Sequence, residues 1–126
     1  MKKSFSHLGK VAIITTFCLT AWSLSSSAQD KSTTVTGEVL DMHCYMSMDA
    51  HGDGHKSCAA KCIQGGSPMG VLTSDGKVYL LLEDDAKKDA FDEAKKHAGE
   101  QVTVTGTVSE KDGIKAMVVT DVKGKS

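Results

Sequence analysis

One short segment of this chain concentrates the side chains that bind metals or form disulfides. Residues 43–62, HCYMSMDAHGDGHKSCAAKC, contain three cysteines, three histidines and two methionines. Thiolate and imidazole groups are preferred ligands of Zn²⁺, whereas thiolate and thioether groups select Cu⁺. Cysteines can instead pair as disulfides or act as redox-active thiols. The segment therefore has three interpretations, which are a metal site, a disulfide staple and a redox thiol cluster.

The spacing of these residues predicts a ligand set. Cys58 and Cys62 are four residues apart, so a helix through them places both thiols on one face. His55, three residues before Cys58, projects from the same side, and Cys44 reaches the group from the end of the first strand. A Cys₃His set suits tetrahedral Zn²⁺, and the nearby methionines make Cu⁺ the competing ion. The predicted metal ligands are Cys44, Cys58, Cys62 and His55, with His43, His51 and Met46 as second choices.

The alternative interpretation is a disulfide-stapled module without metal, which contacts another exported protein. Three cysteines follow Cys18, so one thiol is left over when a disulfide forms. A bridge from Cys44 to Cys58 or to Cys62 is geometrically freer than a bridge between two residues four apart on a helix. A thiol redox protein is the third interpretation, although the sequence has no C-x-x-C motif.

The sequence shows no catalytic constellation. His43 and Cys44 are neighbours on a predicted strand, so their side chains point to opposite faces and do not form a thiolate–imidazolium pair. We therefore predict a binding protein and not an enzyme.

The first 28 residues have the features of a cleavable signal peptide. Three lysines precede an uncharged apolar run over residues 11–22, and small residues end at Ala28. The run is shorter than the roughly 20 residues that span a bilayer. We predict cleavage after Ala28, a periplasmic or secreted protein without a membrane segment, and a single domain over residues 29–126. Cys18 leaves with the leader.

The charge of the predicted mature chain argues against a nucleic-acid partner. Twelve lysines face sixteen acidic residues after cleavage, so the net charge is 12 − 16 = −4, and the chain has no arginine. Bidentate contacts to phosphate are mainly made by arginine. We therefore expect a metal ion, and in the alternative another periplasmic protein, as the partner.

A predicted strand precedes the cluster, and an irregular insert contains it. Residues 33–44 follow the alternation of a β-strand that ends near Cys44. The insert, residues 43–66, is turn-rich and then predicts a short helix that Gly65 and Gly66 close. We expect the insert to contribute little to the main core.

The remainder predicts two hairpins separated by a helix. Residues 69–83 and 101–123 each contain two strand patterns around a glycine-containing turn. Residues 84–99 carry apolar residues at helical spacing over about three turns, with Asp84 or Asp85 as N-cap. The predicted core residues are Val35, Val39, Val71, Leu80, Leu82, Phe91, Val102, Val104 and Val118.

Five short antiparallel strands with a helix between the third and the fourth are the layout of an OB-fold. The sequence resembles small exported bacterial OB-fold proteins through TGEVLD (residues 36–41) and AGEQVTVTGTV (residues 98–108). The expected fold is mostly β. It is a five-stranded OB-fold-like Greek-key barrel with one helix between strands 3 and 4 and a Cys/His-rich helical insert after strand 1. The resemblance implies no function for the insert, which has no counterpart in that family.

Overall fold

A computed structural model describes residues 31–125 of the chain. The predicted signal peptide, residues 1–28, and its cleavage point lie outside the described residues. The chain forms five strands and three α-helices, with one 3₁₀ turn. In order these are β1 (Ser32–Asp41), α1 (Met42–Met48), the 3₁₀ turn (Asp53–His55), α2 (Lys56–Gln64), β2 (Met69–Thr73), β3 (Val78–Leu82), α3 (Lys88–Lys96), β4 (Gln101–Lys111) and β5 (Ile114–Gly124).

The five strands form a mostly β, closed barrel in the order β1-β2-β3-β5-β4, with β4 bonded back to β1. Four of the five pairings are antiparallel, but β3 and β5 run parallel. The expectation of purely antiparallel strands is therefore wrong. A ring with an odd number of strands cannot alternate direction all the way round, so one neighbouring pair must be parallel.

The two predicted hairpins are present, and the second has a tight two-residue turn. Asp112 and Gly113 connect β4 to β5, and both have positive φ angles, 51° and 84°. Turns of this kind match the right-handed twist of the paired strands and favour Asp-Gly. The turn sets the register of β4 against β5 up to a bulge between Thr105 and Gly106, and β4 also pairs with β1.

The first strand ends earlier than the alternation predicts. β1 stops at Asp41, and α1 begins at Met42, so Cys44 lies on a helix and not at a strand end. The Asp41 carboxylate accepts a hydrogen bond from the His43 backbone N–H at 3.0 Å and thereby caps α1. The helix ends at Met48, and its C-cap residue Asp49 has a φ of 54°.

The barrel core matches the prediction in β1, β2 and β4 but not in β3 and β5. Leu81 is buried where Leu80 and Leu82 were predicted, and Leu82 is exposed. In β5, the neighbours of Val118 are buried instead of Val118 itself. β3 is a continuous apolar run and β5 contains one over residues 116–119, so alternation cannot tell which set points inward. The core consists of Val39, Ala59, Ile63, Met69, Val71, Leu81, Ala94, Ala98, Val102, Val104, Met117, Val119 and Val122, with Val35 and Phe91 packed against it.

The insert contributes to this core, contrary to expectation. Ala59 and Ile63, one turn apart on α2, are both buried in it. The helix α3 lies between β3 and β4 as predicted, but it begins at Lys88. Asp84 accepts a hydrogen bond from the Ala86 N–H in the preceding turn instead of capping the helix. Within the described part of the chain, no helix is long and apolar enough to cross a membrane.

Candidate metal centre

Helix α1 turns Cys44 into the protein. The Cys44 side chain is 5% exposed, whereas Met46 and Met48 on the same helix are 73% and 66% exposed. The Met42 backbone N–H donates to the Pro68 carbonyl at 2.9 Å, which fixes the start of α1 against the chain that leads into β2. Cys44 is therefore held at a defined position beside the barrel.

Helix α2 presents the other two cysteines to Cys44. Its apolar face packs on the barrel through Ile63, and Cys58 and Cys62 lie on the neighbouring face, one exposed and one half-buried. His55, at the end of the 3₁₀ turn, directly precedes the helix. The predicted helix over this segment is confirmed.

The donor atoms of these residues form two groups that share Cys44. In the first group, the ligand atoms of Cys44, His55 and Cys58 lie within 4.8 Å of one another. In the second, the same limit holds for Asp41, Cys44 and Cys62. All four predicted ligands thus belong to one cluster, but Cys62 falls in the second group. Asp41 is an addition that the sequence did not suggest.

Asp41 is 1% exposed and uses its two carboxylate oxygens differently. Oδ1 accepts hydrogen bonds from the His43 N–H and from the Ser67 hydroxyl. Oδ2 has no hydrogen-bond partner. Burial raises the pKa of Asp41, but the neighbouring Cys44 thiol, the Ser67 hydroxyl and the His43 N–H outweigh it, so the pKa is lowered and the group is ionised.

The His55 ring also has a buried polar atom without a hydrogen-bond partner. Its Nε2 atom is buried and has no hydrogen-bond partner. Among residues 31–125, Asp41 Oδ2 and His55 Nε2 are the two buried side-chain atoms in this condition. Because buried polar groups are nearly always paired, two such atoms around one cysteine indicate a missing partner.

The thiols at the centre of the cluster are held in their protonated form when no metal is bound. The Asp41 carboxylate, together with burial, raises the pKa of Cys44 to about 12. Burial, together with the adjacent Cys58 thiol, raises the pKa of Cys62. A reactive thiolate needs a lowered pKa, so this environment is unlike that of a catalytic or redox cysteine.

The second-choice ligands lie outside both donor groups. His43 is exposed on α1, and Met46 points to solvent. His51 Nδ1 lies 3.9 Å from the Glu38 carboxylate, and its ring meets the edge of Tyr45. The structure thus gathers the four first-choice residues and leaves these three apart.

All three cysteines of the described chain are free. The Cys44 sulfur lies within 4.8 Å of both Cys58 and Cys62, compared with the 2.05 Å of a disulfide bond. Short movements of α1 or α2 would therefore be required for a bridge.

The sequence does not predict Asp41 as a ligand, because the strand pattern extends through this residue. The signal that would have found it is the aspartate itself, since Asp is a preferred N-cap and here directly precedes the first residue of α1. Ser67, which supports Asp41, carried no such signal, because it is distant in sequence.

An ion pair fixes the start of helix α2 to the chain that leads into β4. Lys56, the first residue of α2, forms an ion pair with Glu100, which His97 also contacts at 2.8 Å. Gly99 lies directly beneath, where a Cβ atom would come 2.7 Å from the Lys56 Cα. This close approach sets the position from which α2 projects its cysteines.

Comparisons with protein-family models, curated proteins and solved structures find no match to this chain. Function has to be inferred from the chemistry of its own residues.

Proposed function

We propose that this protein binds a transition-metal ion, Zn²⁺, in the cluster around Cys44. The observation that carries the proposal is that Asp41 and His55 each have a buried side-chain atom without a hydrogen-bond partner, and each residue offers a donor atom within 4.8 Å of the Cys44 sulfur. Metal bound in this cluster would provide partners for such buried atoms, with the neighbouring thiolates as further ligands. Binding, and not catalysis, is the role we assign.

The donor set favours Zn²⁺ over Cu⁺. Imidazole nitrogen and carboxylate oxygen are ordinary zinc ligands, whereas Cu⁺ is selected by sulfur. The Cu⁺ prediction depends on nearby methionines, but these do not lie with the donor groups around Cys44. Met69 is in the barrel core, and Met46 and Met48 face solvent. Met42 packs against Gly70 of β2.

The proposal is tested by zinc binding to the reduced protein. The complete chain, purified anaerobically with reductant, is titrated with Zn²⁺ against a chromophoric chelator and examined by native mass spectrometry. We expect bound zinc in the wild type and its loss in Cys44→Ser, because Cys44 belongs to both donor groups. The matched control is His43→Ala, which removes an exposed histidine on the same helix and should retain zinc. Detection of metal-free protein alone after reduction and loading would refute the proposal, and preferential loading with Cu⁺ would replace the ion.

The second candidate is the disulfide-stapled interaction module. It is favoured by the closeness of the Cys44 sulfur to two other thiols. A bridge from Cys44 would close a loop of about 15–19 residues and contribute roughly 3 kcal/mol to stability. Peptide mapping of protein isolated from the periplasm without reductant separates the candidates, since three thiols protected only by metal exclude the bridge. The raised pKa values of Cys44 and Cys62 count against the third candidate, a thiol redox protein.

We also propose that the domain is an exported OB-fold. The strand order, the closure of β1 on β4 and the helix between β3 and β4 support this assignment. Export rests on the leader-like residues 1–28, and N-terminal sequencing of the protein from periplasmic extracts tests it, with Gln29 as the expected first residue.

A further inference from the structure

The number of ions in the cluster follows from its dimensions. Zinc–ligand bonds are about 2.0–2.3 Å long, so two ligands of one ion lie at most about 4.6 Å apart. In the described chain, the donors that meet a limit of 4.8 Å form two groups of three and no larger group. His55 is in one group and Asp41 is in the other. One ion at its normal bond lengths therefore does not reach all five donors.

Each group contains one residue with an unpartnered buried atom. His55, whose Nε2 has no partner, is in the group with Cys58, and Asp41, whose Oδ2 has no partner, is in the group with Cys62. A single ion in either group would leave the residue of the other group without a metal partner. Ions in both groups would give a partner to each of the two residues.

We propose that the cluster is a two-zinc centre in which the Cys44 thiolate bridges the ions. One ion is bound by Cys44, His55 and Cys58, and the other by Asp41, Cys44 and Cys62. Each ion then has three protein ligands and one position for water or for a donor from a partner. This inference rests on the proposed function and specifies its stoichiometry and its fifth ligand.

The charges of the site agree with two divalent ions. Three thiolates and the Asp41 carboxylate carry four negative charges, which two Zn²⁺ ions balance. One Zn²⁺ in either group would leave one negative charge unbalanced, since the thiol outside that group stays protonated, and a charge in a partly buried site carries a desolvation cost. No lysine or histidine of residues 31–125 forms an ion pair with Asp41 to offset it. Binding breaks the three S–H bonds, releases the protons to solvent and involves no change of oxidation state.

The test counts ions in the complete, reduced chain and in two variants. Native mass spectrometry and ¹¹³Cd NMR of the cadmium-loaded protein should give two ions and two resonances for the wild type. Asp41→Asn, which can still cap α1, and His55→Gln, which leaves the cap intact, should each retain one ion and one resonance. The two variants should lose different resonances, because they belong to different groups. Asp49→Asn is the matched control, an exposed aspartate at the other end of α1, and should bind two ions.

The outcomes separate this inference from the proposed function. A wild type that binds one ion, with Asp41→Asn unchanged, overturns the two-ion centre but leaves zinc binding in place. A wild type that binds none refutes both. If Asp41→Asn unfolds, the His55→Gln variant still decides, since two ions in that variant would overturn the assignment.

Discussion

The Asp41 carboxylate and the Cys44 thiol lie within 4.8 Å of each other, and both side chains are almost completely buried. Asp41 therefore belongs both to the N-cap of α1 and to the cysteine cluster. One oxygen caps the helix that carries Cys44, and the other is buried without a hydrogen-bond partner. Helix geometry and site chemistry are therefore coupled through one side chain.

The metal-free protein should lose stability in alkaline solution because of Cys44. The folded state raises the pKa of this thiol to about 12, above its value in the unfolded chain. The unfolded chain therefore releases this proton first, and the stability that the protonated thiol contributes is lost as pH rises from about 8.5 upward. Urea unfolding of reduced, chelator-treated protein between pH 7 and 10 measures the effect. Cys44→Ser lacks the group and should show a smaller decline, and parallel curves would contradict the prediction.

Zinc should stabilise the fold by mass action. At free zinc 100 times the dissociation constant, one site adds about 2.7 kcal/mol, provided that the unfolded chain binds zinc weakly. In a domain of about 95 residues this corresponds to a rise in melting temperature of roughly 10–20 °C. Differential scanning calorimetry with and without zinc measures it. Cys44→Ser should show no rise, and an equal rise in that variant would place the zinc elsewhere.

The barrel should survive the loss of ligands but not the loss of the α2 anchor. Cys58 is exposed and Cys62 half-buried, so the Cys58→Ser, Cys62→Ser double variant should retain its β-sheet circular dichroism while losing zinc. Ile63→Ala on the same helix removes a buried core side chain and should cost about 2–5 kcal/mol in the free energy of unfolding. Thermal melts of the metal-free variants compare them. A lost β-sheet signal in the double variant would show that zinc is needed to fold the domain.

Substitution at Gly99 should disturb both the fold and the site. Gly99 has a φ of 71°, and an added Cβ would lie 2.7 Å from the Lys56 Cα at the start of α2. Gly99→Ala should therefore cost more than the roughly 1–3 kcal/mol of a left-handed backbone alone and should weaken zinc binding. Gly113→Ala is the control, because its φ is 84° but nothing lies within 4 Å of the added atom. Equal zinc affinity in the two variants would argue against α2 positioning the ligands.

The sequence predicted those elements whose signals are local. The Asp-Gly turn, the helix through Cys58 and Cys62, and the hairpin around Gly76 follow from turn residues and spacing, and each is present. Which side chains of β3 and β5 point into the core could not be predicted, because apolar runs such as VYLLL have no polar residue to mark the outer face.

Part of the candidate site could be predicted from the sequence, because its signals are also local. Cys58, Cys62 and His55 are close in sequence, so helical spacing predicts that they lie near one another, although Cys62 belongs to the other donor group. Asp41 was missed because β-branched alternation continues up to it, and only the hydrogen bond to the His43 N–H shows that a helix has begun. Its second support, Ser67, is 26 residues away and depends on the fold.

The closure of β1 on β4 joins parts of the chain that are distant in sequence. Thr34 and Thr105, whose hydroxyls hydrogen bond at 3.0 Å across these strands, are 71 residues apart. Pairings of such high contact order form slowly, since chain entropy opposes them. The three cysteines span only residues 44–62, and helices form within microseconds. Because the thiols are close in sequence, they can meet zinc or an oxidant while the ring is still open. The metal-bound and the disulfide-bonded forms of the insert therefore compete before the barrel beside it closes.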